Sequence, residues 1–569
     1  MTLEDFKLPI KYQNKTNTLN NNIVTDLELK ETENNPSIYE YIFEPKTIFG
    51  KNTSEQWYST FSYDNNFLKE SKKLIKSQED FTIPDDISFN EINDIYNEIN
   101  NNKYFNNKYL YINIDFLKQL NQNELILQAC SLYNIGSPLF SLLTPLILIL
   151  VPFFLIKLQG HPVTFENYFI FLKQTLSQHT LGSLFTDFDS VDTQKKIYIF
   201  FSLIFYVYQI YQNILSCIEY FTNLSNIHNY LFKLKRYLQF STEKMNTFYN
   251  LCTSFKCYKK FNKNLINHKE FLENFKNQLE KITPYAFNFN KIKELGYILK
   301  IFYNLKNDKL YLKSLKYSFD FNGYLENLSQ IKYNINHKFM NFSNYSKKVE
   351  FTNAYYPPLK YKNPIKNSYC LDKHIIITGP NASGKSTILK TSAINIILNQ
   401  QIGCGFYQNA NLKLYEYIHS YINIPDTSGR DSLFQAEARR CKEIIDIIDE
   451  NPKNKNHLCI FDELYSGTNP YEAVSSAISL LKYLNNNSNI NFILTTHYTD
   501  LCDKLKNTKN INNFKMNVIN NKNNNSFDYT YKLIEGISYI KGGTKVLKEL
   551  NYPKTIVNSV NNVLNDITI

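Results

Sequence analysis

The sequence predicts a multidomain chain. Its C-terminal part is an α/β domain of the P-loop kind with a helical tail, and a mostly α-helical region with a two-helix transmembrane hairpin precedes it. Three observations predict this. Apolar or β-branched runs end in polar clusters at Thr378, Asp462 and Thr495, as parallel strands do at their functional edge. Between 219 and 350, Leu, Ile, Phe and Tyr recur at helical spacing with Lys and Asn between them, for example Phe271, Phe275 and Leu279. Two long stretches, 138–156 and 197–218, carry no charge.

Composition sets the limits. Hydrophobic residues make up 43% and charged residues 20%, enough to build cores, which excludes disordered and collagen-like classes for the bulk of the chain. At roughly 150 residues per domain, 569 residues make about four domains. The net charge of +11 permits a phosphate-bearing or membrane-surface partner without demanding one, because the basic residues are spread along the chain. Nine cysteines with no C-x-x-C pair exclude a zinc site and fit a reducing compartment, with Cys217 and Cys459 as buried thiols. Lys, Asn, Ile, Tyr and Phe share A/T-rich codons, so the Tyr, Phe and Asn excess reads as genomic bias. Against that bias glycine is rare, yet nine of 15 lie after residue 372, where the chain needs backbone freedom.

In chain order, Met1 to Gln13 lack an apolar core and read as no signal peptide. Residues 1–125 form a polar, mostly helical segment. Residues 126–220 hold the hairpin: spans 138–156 and 197–218 each match the roughly 20 apolar residues that cross a ~30 Å bilayer core. Lys195 and Lys196 flank the second span. Pro145 and Pro152 suit a membrane helix better than a soluble one, whereas Gln209, Gln212 and Asn213 are polar for lipid. The alternative is a pair of buried core helices. Two spans leave both termini on one side, which nucleotide use makes cytoplasmic. Residues 221–350 form a helical lever. Within it, Lys256 to Lys263 (KCYKKFNK) interleaves lysines with aromatics, as a solvated helix face or a polyanion contact. Pro357, Pro358 and Pro364 mark the boundary to 351–505, and 506–569 hold the last strands and a helical tail.

The chemistry sits after the prolines. His374 to Ile377 runs into Thr378-Gly379-Pro380-Asn381-Ala382-Ser383-Gly384-Lys385-Ser386-Thr387 and then a helical pattern. This is G-x-x-x-x-G-K-S between strand and helix. Gly379 and Gly384 allow the loop amides to face phosphates, Lys385 reaches the β- and γ-phosphates, and the Ser386 hydroxyl ligates Mg²⁺. Leu458 to Phe461 ends in Asp462, placed to hold Mg²⁺ through water, and Glu463, placed to accept a proton from attacking water. A third strand ends at His497, a donor within reach of a γ-phosphate. Asp426 to Ser432, at the start of a long helix, forms a second anion site from Ser428, Gly429 and Arg430.

With these motifs in hand, the chain resembles the MutS family of ABC-type ATPases. The matching residues are TGPNASGKST (378–387), QIGC (401–404), SGRDS (428–432), FDELYSGTN (461–469), TTHYTDL (495–501) and the tail 536–557. The resemblance implies a homodimer with composite ATP sites: Lys385, Ser386, Asp462, Glu463 and His497 from one subunit, Ser428, Gly429 and Arg430 from the other, with Thr468 and Asn469 at the seam. Tyr356 is a candidate adenine stacker, equally a core or surface tyrosine. Ala382-Ser383 and Tyr465-Ser466 stand where the family usually has Met-Gly and Gly-Arg. Phe89-Asn-Glu91 has the spacing of the family's base-wedging motif, but no surrounding pattern supports it. Two functions follow: a membrane-associated ATPase driving a conformational change, or a DNA-binding repair or recombination ATPase. In the second case the protein is soluble and intracellular.

Overall fold

The computed structural model describes the chain except for residues 1–2, 34, 161, 179–192, 285–288, 423, 425–431, 452–453, 522–525, 541–546, 548–549 and 567–569. It divides into two compact units. One comprises residues 1–84, 244–268 and 316–569; the other comprises 85–243 and 269–315.

The second unit is helical. It includes α1 (Glu124–Leu158) and most of α2 (Thr193–Cys252). Both uncharged runs lie in these helices. α1 and α2 meet through polar groups: the Tyr220 hydroxyl donates to Ser131 Oγ at 2.7 Å, the Tyr206 hydroxyl to the Ser141 carbonyl at 2.6 Å, and Asn213 to the Ser141 hydroxyl. Their outward faces carry Leu139, Phe140, Leu146, Phe154, Phe200 and Phe205, all exposed. The core-helix alternative expected these apolar stretches to be buried, and they are not. Phe89 begins the helix Phe89–Asn101 and packs on the rings of Tyr237 and Phe240, so the F-x-E spacing is a core contact here.

In the first unit, α3 (Lys259–Glu280) begins and α4 (Lys309–Asn336) ends. Among the described residues its main sheet has six strands: β1 (His374–Thr378), β2 (Tyr417–Tyr421), β3 (His457–Asp462), β4 (Ile490–Thr496), β5 (Ile511–Asn521) and β6 (Ser526–Glu535). The order is β2-β3-β4-β1-β5-β6, parallel except for the final β5–β6 hairpin. Hence the sheet extends past residue 505, because β5 and β6 complete it. The helices α5 (Lys385–Ile402), α6 (Leu433–Glu450) and α7 (Pro470–Asn485) connect its strands, and α8 (Lys554–Asp566) lies in the tail.

Residues 1–84 do not form a segment of their own with the next forty. Short helices capped by Asn20, Ser37, Thr47 and Asp64 pack into the unit that holds the sheet. The reason lies in α5, which is buried on nearly every side. Its polar residues therefore need protein partners. Gln401 donates to the Trp57 carbonyl at 2.7 Å and accepts from the Tyr39 hydroxyl at 2.9 Å, while Gln400 exchanges bonds with the Tyr415 backbone. Asp26 is likewise buried. It accepts from the Ser420 hydroxyl at 2.7 Å and faces Arg440 of α6 at 3.3 Å; burial still raises its pKa. The lever region is also divided, since 244–268 and 316–350 belong to this unit.

Three histidines are buried in the sheet. His374 stacks on Phe492 at 4.1 Å and accepts its N–H, and His419 meets His457 at 3.1 Å. Burial lowers all three; His374 falls from 6.5 to about 4. A folded-state pKa below the unfolded one means that the unfolded chain binds protons first. Stability is thus complete above about pH 6.5 and lost as pH falls toward about 4, by about 3 kcal/mol for His374 alone. Urea unfolding between these pH values checks this: a flat stability profile would contradict neutral buried imidazoles.

Candidate nucleotide-binding site

The site forms where the parallel strands end. The register aligns Asp462 of β3 with Thr495 of β4, and Thr496 with Thr378 of β1. Ligands of open α/β sheets bind at this carboxyl edge. The Thr495 hydroxyl donates to Asp462, which fixes that carboxylate beside the loop.

The phosphate loop spans 379–384 between β1 and α5. Gly384 has φ +96°, in the left-handed region where a side chain is strained, and a Cβ there would also lie 3.2 Å from Tyr531 Cδ1. A Cβ on Gly379 would sit 2.8 Å from Ser383 Oγ and 3.1 Å from Met516. Both glycines keep the loop's inner wall as bare backbone. The Ser383 hydroxyl is buried without a hydrogen-bond partner. A buried unpaired hydroxyl costs about 1–3 kcal/mol unless a ligand engages it, so its place inside the loop fits a phosphate acceptor.

Lys385 opens α5 and is buried. Its Nζ donates to the Gly379 carbonyl at 2.9 Å and stands 3.8 Å from Glu463 Oε1. Burial lowers its pKa; Glu463 and Asp462 oppose that shift. On the other side, His497 Nδ1 is 3.4 Å from the same Glu463 oxygen. The His497 hydrogen bond, with Lys385 behind it, holds the Glu463 carboxyl below the usual range. The structure therefore brings together Lys385, Asp462, Glu463 and His497, with Ser386 at the exposed start of α5. Oxygen donors at Ser386 and Asp462 suit Mg²⁺, which takes one or two carboxylates and completes its shell with phosphates and water. Ser428, Gly429 and Arg430 lie outside the described residues.

Three features escaped the sequence. Glu463 and Tyr465 both adopt positive φ, 53° and 58°, so the turn after β3 is bent to aim its acid. Glu437 of α6 is buried and accepts from Ser466 N at 2.9 Å, Ser466 Oγ at 2.9 Å and Gly467 N at 3.1 Å. It thereby fastens the helix after the second anion segment to the loop after Glu463. A Cβ on Gly467 would lie 2.6 Å from Leu433, so the same helix and loop also touch by packing. Thr468 donates to Glu472, and Asn469 caps α7, so both side chains have local partners. Third, Tyr531 of β6, half exposed, lies against the phosphate loop, while Tyr356 sits half-buried in the field of Glu28 and Tyr41. Tyr531 packs its ring beside the phosphate loop at Gly384. Tyr531→Ala is expected to raise the KM for ATP severalfold with little change in kcat, because the loop loses that support. Steady-state kinetics check this, and an unchanged KM would remove Tyr531 from the site.

Comparison with known proteins agrees with this geometry. Residues 375–568 match the model of MutS domain V. A DNA mismatch repair protein MutS of Prochlorococcus marinus (strain AS9601) is 32% identical over 197 residues, covering 34% of this chain and 21% of the relative. The MutS of Parabacteroides distasonis is 30% identical over 235 residues, 39% of this chain and 26% of the relative. An Endonuclease MutS2 of Streptococcus uberis is 29% identical over 218 residues, 37% and 26%. The chain thus spans about a fifth to a quarter of the length of these relatives.

Proposed function

Through residues 375–568 the chain belongs to the MutS family, and from that premise we propose that it is an ATPase whose nucleotide cycle closes and opens a homodimer acting on DNA. The observation that carries the ATPase reading is the convergence of Lys385, Asp462, Glu463 and His497 on a glycine-walled loop at one sheet edge. The loop amides and Lys385 bind the phosphates. Ser386 and Asp462 would hold Mg²⁺, which would supply charge neutralisation for the phosphates. Glu463 positions the attacking water and takes its proton; His497 orients Glu463 and donates toward the γ-phosphate. Arrival of the phosphates draws Lys385 toward them and away from Glu463, and that loss of a positive neighbour raises the carboxylate's basicity at the moment it is needed. Ser428, Gly429 and Arg430 of the second subunit complete the site. Glu437 couples that segment's helix to the loop behind Glu463, so closure and hydrolysis share one mechanical link.

The DNA reading is supported by the names of the relatives and by the net charge of +11. Its test is ATP turnover of the full chain with and without duplex, mismatched and branched DNA. Turnover that none of these alters, with no binding at low salt, would reject it.

A second reading places the ATPase at a membrane. It is favoured by the hairpin's polarity: Ser131, Ser141, Asn213 and Tyr220 bond between α1 and α2, while Leu and Phe side chains face outward. That arrangement suits lipid, where polar groups must find protein partners. Flotation of the full chain on vesicles, compared with a chain lacking 138–218, tests it. If the full chain fails to float, the reading falls.

A further inference from the structure

From Lys244 to Lys269 the sequence contains no Asp or Glu. In the middle of that stretch, where α2 ends and α3 begins, an open hollow of about 680 Å³ is lined by Lys256, Lys259, Lys260 and Lys263 together with Ser254 and Asn262. The four lysines recur at three- and four-residue spacing, so they share one face of the turn and the first helical turns. Among the described residues none of their ammonium groups is in an ion pair, whereas Lys51, Lys108, Lys233 and Lys291 each have one. The one acid bonded to this turn, Glu70, accepts the backbone N–H groups of Lys256 and Cys257 at 3.1 and 2.9 Å. Asn262 is buried at the wall, and its Oδ1 has no partner. All four lysines are exposed, and the Glu70 carboxylate at this turn is taken up by backbone N–H groups rather than by their ammonium groups, so the hollow presents net positive charge to an anion.

We propose that this hollow is a phosphate-backbone site for nucleic acid, separate from the ATP site. The proposal rests on the DNA reading above and names a surface for it. Lys259 to Lys263 spans about 6 Å of helix axis, and phosphates along one strand recur every ~3.4 Å, so the four lysines match two or three consecutive phosphates. A lipid headgroup has the same phosphate chemistry, but the geometry favours nucleic acid. The uncharged run ends at Ile218, 38 residues before Lys256, so these lysines do not flank it as residues that snorkel from the end of a span would.

The test uses the full chain in detergent micelles and a labelled DNA duplex titrated over a range of salt. It compares the wild type, a variant with Lys256→Gln, Lys259→Gln, Lys260→Gln and Lys263→Gln, and one with arginine at the same four positions. Because each phosphate contact contributes about 0.9 to the log–log salt slope, the glutamine variant should lose two or three contacts and show a slope shallower by about 2 to 2.7, with affinity at least about tenfold weaker at low salt. The arginine variant should keep both, and ATP turnover without DNA should be the same in all three. If the glutamine variant binds the duplex with the wild-type slope, this site is rejected and the DNA reading stands. If the wild type hydrolyses ATP but binds no duplex at low salt, both fall. A parallel titration with phosphatidylserine-containing vesicles separates the sources: lysine-dependent vesicle binding without duplex binding overturns the proposal in favour of a lipid surface.

Discussion

Glu463→Gln is expected to lower kcat for ATP by about 10²- to 10⁴-fold, the range in which a positioned general base contributes, while the KM changes by no more than about threefold. The geometry separates binding from chemistry at this residue. In the proposed mechanism the loop amides and Lys385 hold the phosphates, and Ser386 and Asp462 would hold Mg²⁺. The Glu463 side chain contributes to none of these. Its backbone has φ 53°, a left-handed conformation that costs a non-glycine residue on the order of 1 kcal/mol, and it is held there by its N–H bond to the Thr495 carbonyl at 3.0 Å. A strained turn that aims one carboxylate between Lys385 and His497 serves that carboxylate's chemistry. Glutamine keeps the shape and loses the proton acceptor. The variant should therefore bind ATP, dimerise in its presence and remain closed. Single-turnover hydrolysis and ATP-dependent sedimentation measure the two effects separately. Unchanged turnover would reject Glu463 as the base, and lost nucleotide binding would show that the carboxylate holds the loop together.

The candidate site was legible in the sequence because its parts are local. The phosphate loop is ten consecutive residues between a β-branched strand and a helix, and Asp462 and His497 are each marked by the strand they end. What was illegible depends on long-range contact. Tyr531 is some 150 residues from Gly384 in the chain, in an alternating strand that gives no hint which face meets the loop. Glu437 reads as one more acid on a charged helix, and only the fold shows that Ser466 and Gly467 are its partners. Residues 1–125 read as one polar segment, and the place of 1–84 with the sheet was hidden because their helices are short and their apolar patches small. They are small because what they cover is α5, whose outward polar groups are satisfied by Trp57, Tyr39 and their neighbours. The two uncharged runs were legible in the sequence as long apolar helices. The bond from Asn213 to the Ser141 hydroxyl, which joins those helices, required the structure.

The union of the N-terminal residues with the ATPase unit makes a second large effect testable at Gly323. In an exposed helix interior, Gly→Ala stabilises by about 1 kcal/mol, because alanine loses less backbone freedom on folding. Gly323 lies within α4, so propensity alone predicts a more stable protein. Contact predicts the opposite. A Cβ on Gly323 would stand 2.1 Å from the backbone carbonyl oxygen of Phe49 and 2.4 Å from Thr53 Oγ1. Neither neighbour yields easily. Phe49 and Thr53 belong to the helix Ile48–Ser54, which is pinned to α4 by the stacked Phe49 and Phe319 rings at 4.4 Å and by the Thr53 hydroxyl, which donates to the Asp320 carbonyl at 3.0 Å. Relieving the clash means moving one helix off the other and breaking that buried bond. Overpacking costs about 1–3 kcal/mol where side chains can adjust, and more where the obstacle is backbone. Gly323→Ala is therefore expected to destabilise the first unit by about 3 kcal/mol, seen as a lower urea midpoint at unchanged m-value and as thermal loss of ATP turnover several degrees earlier. Gly50→Ala, on the opposing helix, is the internal control. The nearest atoms to its Cβ are those of the Glu326 carboxylate, a side-chain end that can move by giving up its bonds to Lys46 and Thr47, so its cost should be smaller than that of a backbone clash. If Gly323→Ala raises the midpoint, the two helices do not approach as closely as described. The N-terminal residues would then lose their claim to be part of the ATPase unit.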